Sequence, residues 1–194
     1  MKRAFVSMAA LGLLLAGLGS TASAQEAKPM EKAMDKPASG VKAEILRQIE
    51  DAEKKLVALA EATPAEKFAW RPGEGVRSTG EVFAHVAGAN YFLPTFWGVK
   101  IPEGTDPRSF EKDGGDKAKT LDTMKKSFEH ARKAVADVPA ADLDKAVKLF
   151  GRDSSVREAN LVVATHAHEH LGQAIAYARM NGIVPPWSRQ GSGE

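Results

Sequence analysis

The sequence contains no cysteine in its 194 residues. Disulfide bonds, thiolate metal ligands and cysteine nucleophiles are therefore excluded, and any metal ion would have to be held by histidine and carboxylate side chains. Without disulfide bonds, the fold must rely on the burial of apolar side chains in a packed core.

The sequence also lacks a clear excess of charge of either sign. Lysine and arginine number 27 and aspartate and glutamate 25, and two of the basic residues, Lys2 and Arg3, stand close to the N-terminus. The chain after residue 24 is formally neutral, with 25 residues of each sign. Such a balance argues against a nucleic-acid-binding surface.

The N-terminal segment predicts export. A short basic stretch precedes an almost wholly apolar run over residues 4–19, and Ala22-Ser23-Ala24 follows. This order is typical of a secretory signal peptide at 1–24, cleaved after Ala24, and predicts a periplasmic or secreted protein. The alternative is a membrane anchor, but the run is short for a span of about 20 residues. A lipoprotein is excluded because its anchor would require a cysteine.

Composition divides the rest of the chain into three parts. Residues 25–40 are rich in lysine, proline and alanine, have little to bury, and predict a flexible leader. One domain over 41–188 and a tail at 189–194 follow. In the domain, apolar residues recur three or four positions apart, as one buried helix face requires, and no convincing pair of strands is present. The expected fold is all-α, a four-helix bundle.

Start and stop signals indicate the bounds of the expected helices. Ser78 and Ser155 each precede a glutamate by three positions, a pattern typical of a capping box. Gly182 is expected to end the last helix, and Pro94 to kink the second helix near its end. The expected helices cover about 41–61, 78–96, 117–136 and 155–181, with a short additional helix within 140–151 and a long loop at 98–115.

Three of the five histidines lie within the stretch THAHEHLGQ, residues 165–173. At about 100° per residue, His166 and His170 share one face of a helix, whereas His168 lies on the opposite side. His85 lies in the same way on the apolar stripe of the second expected helix. We therefore expect His85, His166 and His170 to face the bundle interior and His168 to face solvent.

Three imidazoles converging on an apolar interior indicate a metal ion, because their burial without a shared partner would be costly. Two histidines four positions apart on one helix can bind one ion, and a third from another helix leaves positions open for water or substrate. Histidine pairs with this spacing also occur on solvated faces, and histidines that only pack are a further alternative. His130, in a strongly charged setting, is expected on a solvated face.

Two stretches resemble the DinB/YfiT-like superfamily. WRPGEGVRSTGEVFAHVAGANYF, residues 70–92, is similar to the segment in which a Trp-x-Pro-x-x-Gly motif leads through a Ser-capped helix to a histidine ligand. HAHEHLGQAIAYARMNGIVPPWS, residues 166–188, is similar to the last motif of the family, in which H-x-x-x-H is followed by Gly-Gln. The resemblance covers residues 41–188.

The resemblance implies an up-down-down-up bundle and one divalent metal ion, often zinc or nickel, held by His85, His166 and His170. Gln173, one turn from His170, is expected either to orient a ligand or water at the site or to tie helices together as a buried amide. Dimerisation is common in the family, so a homodimer is one of the assemblies to be tested.

The residues are compatible with three functions. The first is a metal-dependent hydrolase or thiol S-transferase acting on a small molecule, since characterised relatives include S-transferases and isomerases that use low-molecular-weight thiols. Those relatives act in the cytoplasm, whereas export is expected here, and no obvious general base accompanies the ligands, because Glu169 points off the face of His170. The second is a non-catalytic envelope protein that binds a metal or small ligand. The third is a bundle whose histidines only pack.

Overall fold

The computed structural model describes residues 40–189. The predicted signal peptide at 1–24, nearly all of the predicted leader and nearly all of the predicted tail lie outside the described residues.

The described residues form five α-helices and one two-stranded hairpin. The helices are α1 (Val41–Ala62), α2 (Thr79–Phe92), α3 (Lys117–Ala136), α4 (Val156–Met180) and the short α5 (Pro186–Arg189). The strands are β1 (Ala146–Leu149) and β2 (Arg152–Ser155), and short 3-10 segments occupy Ala65–Lys67, Leu93–Trp97, Pro107–Asp113 and Ala140–Asp142. The four long helices confirm the predicted all-α four-helix bundle.

The predicted apolar stripes of α1, α3 and α4 form the core. Burying such a stripe is what stabilises an amphipathic helix in a bundle. The buried members are Ile45, Ile49, Ala52, Leu56 and Leu59 of α1, Met124, Phe128, Ala131 and Val135 of α3, and Ala159, Val163, Ala174 and Tyr177 of α4. From α2, Val82 and Phe83 join the same core.

Contacts at the helix ends show that α1 and α3 run in opposite directions. Lys117, at the start of α3, donates to the backbone carbonyl oxygens of Glu61 and Thr63 at the end of α1, at 2.8 and 2.6 Å. Lys42, at the start of α1, donates at 2.9 Å to the carbonyl oxygen of Val138, just beyond the end of α3. Each lysine places a positive charge at the carbonyl end of a helix, where it is favourable.

Helix α2 runs parallel to α3 and opposite to α4. Asn90, near the end of α2, donates to the hydroxyl of Ser127 in the second half of α3 at 3.1 Å. Trp70, which precedes α2, packs edge-on against Tyr177 near the end of α4, with ring centroids 5.4 Å apart. The order is therefore up-down-down-up, as the resemblance implies, and the parallel pair needs the long crossover between α2 and α3.

Two predicted helix signals are present, and a third is incomplete. Ser78 accepts from the backbone N–H of Glu81, whose side chain accepts from the backbone N–H of Ser78, which completes a capping box. Gly182 adopts a φ of 72° and follows α4 in a Schellman arrangement. Ser155 caps α4, but the carboxylate of Glu158 binds Arg152 instead of closing the box.

The prediction of no paired strands is wrong, and the short helix expected within 140–151 is limited to the 3-10 segment Ala140–Asp142. After the 3-10 turn the chain forms β1 and β2, which pair antiparallel with Leu149 opposite Arg152. The two residues between them, Phe150 and Gly151, have φ values of 50° and 86°. Positive φ values at both central residues are typical of a two-residue hairpin turn. Gly151 adopts its value without strain because it has no side chain.

The second predicted helix ends earlier than expected. The α-helix stops at Phe92, and a 3-10 segment containing Pro94 replaces its predicted last turn through Phe96. Proline has no N–H for the α-helical hydrogen bond, which accounts for the change. Within residues 40–189, none of the helices has the length and apolar character needed to cross a membrane.

Candidate metal centre

The three predicted histidines meet between α2 and α4. Their nearest ligand-capable nitrogens all lie within 4.8 Å of one another. Nε2 of His166 is 3.3 Å from Nε2 of His85, and the ring centroids of His166 and His170 are 4.5 Å apart. His85 is separated from His166 by 81 positions, so the antiparallel packing of α2 on α4 creates the cluster.

Two of the three rings are oriented by acceptor oxygens on their far sides. Nδ1 of His85 lies 2.9 Å from Oε1 of Glu111, and Nδ1 of His170 lies 2.8 Å from Oε1 of Gln173. Because a carboxylate can only accept, Nδ1 of His85 carries the proton and donates it. The same tautomer of His170 follows with Gln173 as acceptor. With this tautomer, the lone pair of each ring is on Nε2.

This pattern fits a cation. Because Nδ1 of His85 and of His170 donates its proton to Glu111 or Gln173, each of these two rings has its lone pair on Nε2, toward the cluster. Among the three rings, only the Nε2–H of His166 can donate a hydrogen bond to these two lone pairs. Nδ1 of His166 is itself buried and has no hydrogen-bond partner among the described residues. A metal ion accepts electron pairs from all three Nε2 atoms at once. The histidine group could therefore hold a metal ion, whereas a purely packed trio leaves a lone pair unmatched.

Burial favours the neutral form of two of these imidazoles, those of His166 and His85. It lowers the pKa of His166 to about 3, with smaller contributions from the charges of His170 and His85. Burial also lowers the pKa of His85, although its hydrogen bond to Glu111 opposes the shift. Neutral rings keep the lone pairs that a metal ion requires.

Gln173 connects the histidines to the aromatic end of the bundle. Its amide oxygen accepts from His170, and its amide nitrogen donates to the hydroxyl of Tyr177 at 3.0 Å. Tyr177 packs on Trp70, in the loop that precedes α2. The hydrogen bond to His170 supports the first of the two roles expected for Gln173, which is to orient a ligand.

Glu111 is a site residue that sequence reasoning missed. It lies in the 3-10 segment of the crossover, where no periodic pattern marks it, and Nε and Nη2 of Arg77 bind its two oxygens at 2.9 and 3.1 Å. Partial burial opposes ionisation of Glu111, but the hydrogen bonds from Arg77 and His85 outweigh it and lower the pKa of its carboxyl group. Glu111 is thus a carboxylate that holds His85 in place.

A cavity of about 960 Å³ opens beside the histidines. His85 and His166 form part of its wall, together with Glu111 and apolar residues from α2, the crossover and the hairpin turn. Ala89 and Phe92 of α2 line this cavity, and Ala89 also packs against the core. The volume is that of a pocket for a small molecule.

The other two histidines lie apart from the cluster, but neither simply faces solvent. His168 is half-buried, and its Nε2 donates to the backbone carbonyl oxygen of Gln48 on α1 at 3.0 Å. His130 is also half-buried, with its ring 4.8 Å from that of Tyr91. The predictions that His168 and His130 face solvent are therefore wrong. Helix α1 covers the face of His168, and Tyr91 of α2 packs on His130.

A model of the DinB superfamily matches residues 48–174, a range that contains all three histidines and Gln173. No curated protein gives a significant match.

Two similar solved structures are DinB-like proteins. The one from Bacillus cereus has a TM-score of 0.61 at 18% identity, with 73% of this chain and 93% of that chain covered. The one from Bacillus subtilis, YjoA, has a TM-score of 0.53 at 16% identity, with 73% and 94% covered. At these identities the likeness concerns the fold.

Proposed function

The chain belongs to the DinB superfamily, and we propose that it binds one divalent metal ion, zinc or nickel, through Nε2 of His85, His166 and His170. The observation that carries the proposal is the pair of Nε2 lone pairs left by the hydrogen bonds to Glu111 and Gln173. Neutral imidazole is a ligand that both metals accept.

We further propose that the centre acts on a small molecule in the adjoining cavity, as a metal-dependent hydrolase or a transferase. When bound, such an ion can polarise a carbonyl group or lower the pKa of a water molecule. His85 and His166 form part of the cavity wall, so a ligand in the cavity would lie beside the metal ion that they hold. Glu111 fixes the ring of His85 by its hydrogen bond.

A non-catalytic binding protein is the second candidate, and the contacts of Glu111 favour it. This carboxylate is bound by both Arg77 and His85, and its lowered pKa makes it a weak proton acceptor. A centre without an effective base is suited to holding a metal or a ligand. Metal-dependent turnover of ester or thiol substrates by the purified protein would support the enzyme, and its absence would support the binder.

Metal analysis tests the shared part of both proposals. The purified protein should contain about one ion per chain. His166→Ala should abolish this content because it removes a ligand, whereas the control His168→Ala, on the same helix, should keep it. Full metal content in both variants would contradict the assignment of the ligands.

We also propose export, which the order of basic, apolar and small residues at 1–24 supports. The exported protein should begin at Gln25, as N-terminal sequencing can establish. A chain that retains residues 1–24 in a membrane fraction would instead indicate an anchor.

A further inference from the structure

We propose that the cavity beside the histidines binds the aromatic, apolar body of a small ligand, and that Phe150 supplies a main part of this contact. The inference deepens the proposed function, on which it rests for the role of the metal, by naming the chemical class of the ligand. The binding of the apolar body, however, can be measured with or without a metal ion.

The walls of the cavity are apolar over most of their extent. They come from three separate parts of the chain: Ala89 and Phe92 of α2, Ile101 and Pro107 of the crossover, and Phe150 of the hairpin turn. Phe92 and Phe150 remain 47% and 62% exposed, so their rings have surface to offer a ligand. Covering exposed aromatic surface is favourable and is the main source of affinity in such pockets.

The charged groups around the cavity are largely paired with one another. Glu103, Asp106 and Glu111 line it together with Arg108. Nε of Arg108 lies 3.2 Å from the carboxylate of Asp106, and Arg77 binds Glu111. The wall thus offers a ligand apolar surface and few charges that still need a partner, which favours an apolar body.

Phe150 occupies a backbone position that suits its ring poorly. It is the first residue of the two-residue turn between β1 and β2, with a φ of 50°, where asparagine or glycine is usual. Its ring packs edge-on against Phe96, with centroids 4.8 Å apart, and Phe96 packs in turn on Phe92. The hairpin thus holds an exposed aromatic ring at the cavity although the turn itself would favour another residue, as is found at binding sites.

An uncharged fluorescent probe tests the apolar site. N-phenyl-1-naphthylamine has an aromatic body and no charge. Titration of the purified protein, with and without a chelator, should show one saturable site of similar affinity, because the contact is apolar and does not require the metal ion. Absence of saturable binding would overturn the proposed ligand class.

Substitutions test the role of Phe150. Phe150→Asn should weaken binding of the uncharged probe about tenfold, because the ring is lost, without lowering the Tm, because asparagine suits the turn. Phe150→Tyr should bind like the wild type. Met180→Asn is the control, since Met180 is equally exposed at 65% but lies at the end of α4, outside the cavity wall.

The outcomes separate this inference from the proposed function. Unchanged probe binding in Phe150→Asn, or an equal loss in Met180→Asn, overturns the role of Phe150 even if the protein retains its metal. A protein that lacks metal but shows the expected probe binding contradicts the metal centre and leaves the apolar cavity in place. A Tm that falls in Phe150→Asn together with probe binding would assign Phe150 to packing and overturn its role as a ligand contact.

Discussion

The imidazole of His85 is fixed from both sides. Its Nδ1 donates to Glu111, which Arg77 binds with two parallel hydrogen bonds, and its Nε2 faces His166. His170 is held in the same way by Gln173, whereas Nδ1 of His166 has no partner and depends on packing. The three proposed ligands therefore differ in how firmly the protein orients them, and the contribution of Glu111 can be measured directly.

Glu111→Ala should lower the affinity for zinc by about 10- to 100-fold, because His85 loses the acceptor that fixes its tautomer and ring orientation. Competition with a chromogenic zinc chelator would measure the change. Glu103→Ala is the matched control, since it removes another carboxylate of the cavity wall that has no hydrogen bond to a histidine of the cluster. Equal losses in the two variants would indicate a general effect of charge and would contradict the orienting role.

At the scale of the elements, α2 is the helix that builds the site. One side of it packs in the bundle core, and Ala89 and Phe92 line the cavity. A third region, marked by Gly80 and Gly88, lies against the crossover, where a Cβ on Gly80 would stand 1.7 Å from the backbone oxygen of Gly114. This close approach holds the segment that carries Glu111 against α2, so a small residue in one helix positions a carboxylate of another segment.

Gly80→Ala should destabilise the protein by about 1–3 kcal/mol, because the added methyl group forces the crossover away from α2. Weaker metal binding should accompany the loss, since Glu111 moves with the crossover. Gly172→Ala is the control: Gly172 lies within α4 with open space around it, and alanine there should stabilise the helix by about 0.5–1 kcal/mol. Urea unfolding measures both effects, and a Gly80→Ala variant as stable as the wild type would disprove the close contact.

At the scale of the whole molecule, the bundle buries ionisable rings in several places. His130 is not part of the histidine cluster, and its Nε2 is buried without a hydrogen-bond partner in the described part of the chain. Burial lowers the pKa of His130 below its usual value near 6.5. The folded protein therefore resists protonation at a site where the unfolded chain accepts it, and this difference links global stability to pH.

The free energy of unfolding should fall as the pH drops below about 6.5, because the unfolded chain then binds a proton at His130 that the folded protein excludes until its own lower pKa is reached. One such proton contributes at most about 1.4 kcal/mol per pH unit. His130→Gln should show a smaller fall between pH 7.5 and 5.5 in urea unfolding of chelator-treated protein. A fall as large as that of the wild type would exclude His130 as a contributor.

Much of the bundle could be predicted from local patterns. The bounds of α3 match the expected 117–136, and the α4 face that carries His166 and His170 follows from the turn of about 100° per residue. The capping box at Ser78 and the glycine after α4 are also local, since their hydrogen bonds join residues a few positions apart. Such features depend only on residues that are close together in the sequence, so they can be predicted from it.

The hairpin and the surroundings of the other two histidines could not be predicted in this way. Residues 146–155 are too short and too polar for a clear period, and a single turn at Phe150 and Gly151 decides their pairing. His168 stands on the side of α4 opposite the cluster, as expected, but α1 covers that side. Helical geometry predicts which residues share a face, and only packing determines what that face meets.

The sequence by itself determined the helices, the separation of His166 and His170 from His168, and the pairing of those two residues with His85 as candidates. All of these follow from periodicity along one chain. Tertiary structure alone decided that Glu111 orients His85 and that an apolar cavity with Phe150 at its wall lies beside the cluster. The reason is that these contacts join segments whose meeting depends on the path of the crossover and the hairpin, which no local pattern specifies.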